Sequence, residues 1–292
     1  MGENSQGGDR RPARDGAPRR AGQGAGFQRD RGPQRDRGPQ RDRGGQRGRG
    51  PARAGRPGDG GARGPRPEQD GQADGPRIPA EIEAGQLAPE VRRELSTLSK
   101  STADTIARHL VAAGNLLDED PEAALAHAQA ARTRSGRIAA IREAVGIAAY
   151  HCGDWNQALA EFRAARRMGS KSMLLPLIAD CERGVGRPEK AIELSRSPEA
   201  AELTGEDADE LRIVVAGARA DLGQLEQALA VLGSPQPDPA AVGSTAARLN
   251  YAYADTLLAL DRTAEALQWF LNAARADVDG LTDAEDRISE LS

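Results

Sequence analysis

The sequence predicts an all-α fold, a right-handed α-solenoid of about five helical hairpins behind a disordered N-terminal tail. Three observations predict it. Alanines recur at 124, 158, 191, 228 and 266, at intervals of 34, 33, 37 and 38 residues, and self-similarity at a period of about 20 to 50 residues marks a stacked array. Each alanine follows a turn signal and lies within apolar residues spaced for one helix face. The composition also divides near residue 77: residues 1–77 carry 18 of the 40 basic and 10 of the 44 acidic residues, a net of +8, and the remainder carries a net of −12.

The tail, residues 1–77, is Gly, Arg, Pro, Gln and Asp, with one aromatic, Phe27, and no aliphatic larger than Ala after Met1. It has too little apolar surface to offset the entropy of ordering. A hexapeptide recurs within it: QRDRGP at 28–33 and 34–39, QRDRGG at 40–45 and QRGRGP at 46–51. Pro and Gly close each unit and block helix propagation. The arginines of the Arg29–Arg53 region suit non-specific contact with phosphates of RNA or DNA. The segment is similar to RGG-type tails, but lacks the interleaved Phe or Tyr that would stack on bases, and its Asp residues cancel part of the field. A solvated tail, or one resting on the acidic body, fits the same composition.

Residues 78–88 form a junction with the first aliphatics. Residues 89–98 read as a short capping helix, with Pro89 at its start and Val91, Leu95 and Leu98 on one face. The first hairpin, about 101–133, opens at Ser101 with Asp104 completing a capping-box pattern. It carries Ile106 and Leu110, turns at 118–121 and continues through Ala124, Ala128 and Ala131. The second, 136–168, has Val145, Gly146 and Ala149, the tight turn Gly153-Asp154, then Ala158, Phe162 and Ala165. Small residues at Gly146, Ala158 and Ala165 let two helices approach closely. Val145, Trp155, Leu159 and Phe162 supply the filling.

The third hairpin, 172–196, has Leu175, Ile178 and Ala179, then Pro188, Ala191 and Ile192. The fourth, 206–232, has Ile213, Val214 and Ala216, Gly223, then Ala228, Leu229 and Leu232. The fifth, 244–276, has Asn250, Tyr253, Ala254 and Leu257, then Ala266, Phe270 and Ala273. The two longer intervals coincide with loop signals at 197–207 and 233–239, where insertions leave hairpin lengths unchanged. Thr282 with Glu285 opens a C-terminal capping helix over 282–291.

The body resembles a tetratricopeptide repeat (TPR) array, whose unit follows W-x2-L-G-x2-Y, then A-x3-F, then A. The second unit matches with Val145-Gly146, Ala149, Ala158-x3-Phe162 and Ala165, and the fifth with Tyr253-Ala254, Leu257, Ala266-x3-Phe270 and Ala273. The array departs from the pattern at the Trp position, where Arg108, Arg142, Leu175, Arg212 and Asn250 stand. Ser195 and Leu232 replace the phenylalanine of the third and fourth units. The resemblance covers roughly 101–276, and the chain with its tail is similar to TPR proteins of high-GC, actinobacterial-type bacteria.

That resemblance implies a concave groove lined by the first helices. The pattern places His109, Ala113, Leu116, Glu143, Ile147, Tyr150, His151, Asp180, Arg183, Ile213, Gly217, Tyr251, Asp255 and Leu258 there. Tyr150 and Tyr251 are the expected peptide anchors, with packing between hairpins as their alternative role. TPR proteins that clamp a C-terminal carboxylate use Lys and Asn in the groove. Ala113, Ile147, Asp180, Gly217 and Asp255 stand here instead, so that mode is not expected. Trp155 and Trp269 lie on second helices and read as core.

No catalytic constellation emerges. His109, His127 and His151 show no i,i+4 pairing and read as surface or groove residues, not ligands. No phosphate loop or nucleophile elbow occurs. Cys152 and Cys181 are 29 residues apart, belong to no CxxC pair and read as buried small hydrophobes. The chain shows no secretory h-region and no stretch approaching the roughly 18 apolar residues of a membrane helix. The expectation is a cytoplasmic, non-catalytic scaffold without cofactor or metal. It binds a peptide or helix in its groove; the alternative is an RNA-associated factor whose tail holds nucleic acid while the body recruits a protein.

Overall fold

The computed structural model describes residues 75–170 and 173–292. The body of the tail and its QRDRGP repeats lie outside the described residues. All regular secondary structure among the described residues is helical, with no strand among them. A 3-10 turn at Ala84–Gln86 precedes α1 (Pro89–Leu95). Five hairpin pairs follow: α2 (Lys100–Leu116) with α3 (Pro121–Arg134), α4 (Ala139–His151) with α5 (Trp155–Arg167), α6 (Leu175–Gly184) with α7 (Pro188–Leu194), α9 (Gly205–Asp221) with α10 (Leu225–Leu232), and α11 (Ser244–Ala259) with α12 (Thr263–Ala276). α8 (Pro198–Glu202) stands between the third and fourth pairs, and α13 (Ala284–Leu291) packs on α12.

Local chemistry sets the ends. Proline occupies the first turn of α1, α3, α6, α7 and α8, where a missing N–H removes no helical bond. Asp120 and Asp154 cap α3 and α5 by accepting from the amides of Ala123 and Gln157, each at 3.0 Å. Four of the five turns between paired helices repeat one geometry. The amides of Asp154, Arg187, Gln224 and Arg262 donate to the carbonyls of Ala149, Glu182, Arg219 and Leu257 at 2.8–3.0 Å. The residue before each has positive φ: Gly153, Gly186, Gly223 and Asp261. This 6→1 closure satisfies helix carbonyls that would otherwise lack partners.

The recurring alanines meet the packing expectation. Ala124, Ala158, Ala191, Ala228 and Ala266 are each 0% exposed. The close approach expected in the second pair is tight: a Cβ on Gly146 would lie 2.6 Å from the Phe162 ring. Phe162 and Phe270 are fully buried, and Leu232 fills the equivalent place in the fourth pair.

Several expectations change. The cap of α2 is Ser99, whose hydroxyl accepts from the Thr102 amide at 3.3 Å, so Ser101 and Asp104 form no capping box. Thr282 does not cap α13; its amide and hydroxyl bond the Asp277 carboxylate at 2.6 and 2.7 Å. Segment 197–207 contains α8, capped by Ser197, instead of loop alone. Trp155 and Trp269 pack against the cores as expected, but only half-buried, each set edge-on against a tyrosine: Tyr150 at 5.1 Å and Tyr253 at 4.8 Å. Cys181 is buried, and burial pushes its thiol up to about 12. Cys152 is only half-buried, at the end of α4. Among the described residues no helix is long and apolar enough to cross a membrane.

Candidate functional site

The first helices of the hairpins present a row of polar side chains that bond one another across successive pairs. On α4, the Tyr150 hydroxyl donates to Asp180 Oδ2 of α6 at 2.5 Å. Asp180 Oδ1 also receives Arg183 Nη1 at 2.7 Å, and Arg183 Nε reaches Asp221 of α9 at 3.1 Å. Room for that guanidinium comes from Gly217, where a Cβ would sit 2.6 Å from Arg183 Cζ. Farther along, Glu210 of α9 pairs with Arg248 of α11 at 2.8 Å. Burial raises the Glu210 carboxyl, against the pull of Arg248.

A second cluster closes the C-terminal end. Arg287 of α13 contacts Asp255 of α11 at 3.3 Å and lies 5.5 Å from the centre of the Phe270 ring. Tyr251 sets its ring edge-on to Phe270 at 5.3 Å and directs its hydroxyl to Asp283. Burial and a neighbouring carboxylate, Asp180 or Asp283, push both Tyr150 and Tyr251 above the ordinary phenol range. Both therefore stay neutral donors.

The sequence-predicted residues divide accordingly. Tyr150, Asp180 and Arg183 meet in one cluster, and Tyr251 and Asp255 in the other. Ile147, Ile213 and Leu258 are half-buried beside the hairpin cores. Leu116 and Glu143 are half-buried on α2 and α4, and His151 is exposed beside the Tyr150 ring, 6.0 Å away. Ala113 is buried. His109 is placed differently from expectation. It is 3% exposed, and its Nδ1 lies 3.0 Å from Nδ1 of His127, itself 4% exposed. The pair faces the interior between α2 and α3, which corrects the reading of both as surface or groove residues. The side chains that sequence reasoning missed are Glu210, Asp221, Arg248, Asp283 and Arg287. Arg248 and Tyr251 share a helix face at i,i+3, a signal that was present; Arg287 lies beyond the repeat, where no periodicity points to it.

The Trp-position arginines have a common occupation. Arg108 Nε donates to the Ile82 carbonyl at 2.8 Å, Arg142 Nε to that of Gly136 at 2.8 Å, and Arg212 to those of Leu232 and Pro235. Each guanidinium fastens irregular main chain to a hairpin. Among the described residues no group of three or more His, Cys, Asp or Glu side chains is placed to hold a metal ion. The Arg29–Arg53 region named for nucleic acid lies outside the described residues. Compared with known families and curated proteins, the chain matches no family model and no curated relative.

Proposed function

We propose that this protein is a non-catalytic, TPR-like α-solenoid of the cytoplasm. In this reading it acts as an adaptor, holding a peptide or helix along the face made by its first helices. The single observation that carries the reading is the set of five fully buried alanines at near-regular intervals, each on the second helix of a pair. A stack of like hairpins leaves the first helices side by side, and extended faces of that kind bind polypeptide. The polar row supports a positioning role. Asp180, Glu210 and Asp255 are each bound to an arginine within the chain, so the face is held rigid before a partner arrives. The half-buried Ile147, Ile213 and Leu258 supply apolar contact between these charges.

The test is capture from lysate with the full-length chain, with and without nuclease, against the double variant Ile147→Glu/Ile213→Glu. The adaptor reading requires a defined protein partner that survives nuclease and falls at least tenfold with the double variant. Retention of material removed by nuclease or by raised salt, and unaffected by the double variant, would transfer the function to the arginine-rich tail.

A further inference from the structure

We infer that the cleft between the start of α9, the proline-rich loop after α10 and the start of α11 is a second binding site, one that takes an extended, cationic peptide main chain. The cleft has a volume of about 390 Å³ and is lined by Glu206, Asp209, Arg212, Pro237, Asp238 and Asn250, among others. Asn250 is 1% exposed, and neither its Oδ1 nor its Nδ2 has a hydrogen-bond partner. An unpaired buried amide is costly, because both of its polar atoms have given up water without replacement.

The other repeats indicate what completes it. Asn250 stands where Arg108, Arg142 and Arg212 stand in the first, second and fourth hairpins. Arg108 and Arg142 are met by main-chain carbonyls of irregular segments, and Arg212 by carbonyls of the end of α10 and of Pro235 beyond it. In the fifth hairpin no main chain arrives. A peptide group in extended conformation offers one acceptor and one donor, the complement of a carboxamide that has both unused. Charge restricts the ligand further. Three carboxylates line the cleft against one guanidinium, and that guanidinium is already taken by Asp209 at 2.6 Å and by three carbonyls. Side chains flanking the bound main chain are therefore basic. The site shares no residue with the first-helix face above and stands independently of it.

The test uses full-length protein and a fluorescein-labelled, end-blocked Arg-Gly hexapeptide (RGRGRG), with a Glu-Gly hexapeptide as control. Anisotropy should report saturable binding of the basic peptide alone. Asn250→Leu should weaken it at least tenfold while leaving Tm equal or higher, since the substitution removes an unpaired amide at similar volume. Glu206→Gln should weaken it severalfold at low salt and flatten its salt dependence. The Asn250 side-chain amide NMR signal, identified by its loss in Asn250→Leu, should shift as peptide is added. Three results would each overturn the proposal: no saturable binding with an unmoved amide signal, unchanged affinity in Asn250→Leu, or a Tm several degrees lower in that variant, which would mean the amide is paired within the fold.

Discussion

At the residue scale, two glycines show how the same atom count has different consequences. A Cβ on Gly146 meets the ring of Phe162, which is fully enclosed and has nowhere to go. Gly146→Ala should cost about 1–3 kcal/mol by overpacking, read from chemical denaturation. A Cβ on Gly217 meets the guanidinium of Arg183, which Asp180 and Asp221 hold in place. Gly217→Ala should cost about 1–3 kcal/mol as well, by another route: it should break the Arg183 bonds to Asp180 and to the buried Asp221, and so weaken partner capture. The need for Gly146 was legible in the sequence, because a helix-pair pattern demands a small residue there. Gly217 was not, because its neighbour lies on another hairpin. The His109–His127 contact was not legible either, because it joins the two helices of one hairpin at a register that spacing along a single helix does not give. In a bond between two neutral imidazoles one ring carries its proton on Nδ1 and the other on Nε2; charging both rings would set two N–H donors and like charges 3.0 Å apart. Burial, His127, Arg134 and Arg108 lower His109 to about 4, and burial lowers His127. The unfolded chain therefore binds more protons than the native one below the ordinary 6.5, down to about 4 for His109. Stability is complete above pH 6.5 and is lost as pH falls toward 4. Tm should drop by several degrees over that window, and His109→Phe should flatten the profile.

At the element scale, helix ends were more legible than helix caps. Proline and the Gly153 and Asp120 turns placed the boundaries within a few residues, since those residue types act on their own backbone. The cap of α2 moved two residues, from Ser101 to Ser99, because Ser99, Ser101 and Thr102 are equally good local acceptors and only the path from α1 selects among them. The third hairpin is shorter for a readable reason. Ser195, in the phenylalanine position, turns its hydroxyl back to the Ile192 carbonyl at 2.8 Å, and α7 stops at Leu194. Leu203 and Leu211 then complete that part of the core. The repeated turn yields a prediction of opposite sign. Asp261 holds φ 60 where three other turns have glycine. Asp261→Gly should stabilise the protein by roughly 0.5–1 kcal/mol, seen as a rise in Tm, because a left-handed residue with a Cβ is strained.

At the scale of the whole molecule, substantial helix contacts fall between elements no more than three apart in chain order. Buried glutamates tie these neighbours. Glu161 of α5, 5% exposed, accepts from Arg132 of α3 and from Arg142 of α4 at 2.8 Å. Glu182 of α6, 1% exposed, is met by Arg163 of α5 and by Arg187 at 3.5 Å. Glu161→Gln should cost about 1–3 kcal/mol in denaturant unfolding, since it weakens two charge-assisted bonds at once. With contacts this local, damage should stay local. In Gly146→Ala, hydrogen exchange should accelerate in α3 to α6 while α11 and α12 keep their protection.

That the body is helical, where its hairpins turn, and which alanines and phenylalanines are buried can all be read from the residues alone. Those properties follow from spacing along one helix and from side chains acting on their own backbone. Which polar groups meet emerges when the helices pack: His109 with His127, Tyr150 with Asp180, Glu161 with two arginines, and Asn250 with none. Such pairings depend on distances between chain segments that no periodicity encodes. Their energies come from the mutual desolvation of both partners, which exists only once the helices have packed.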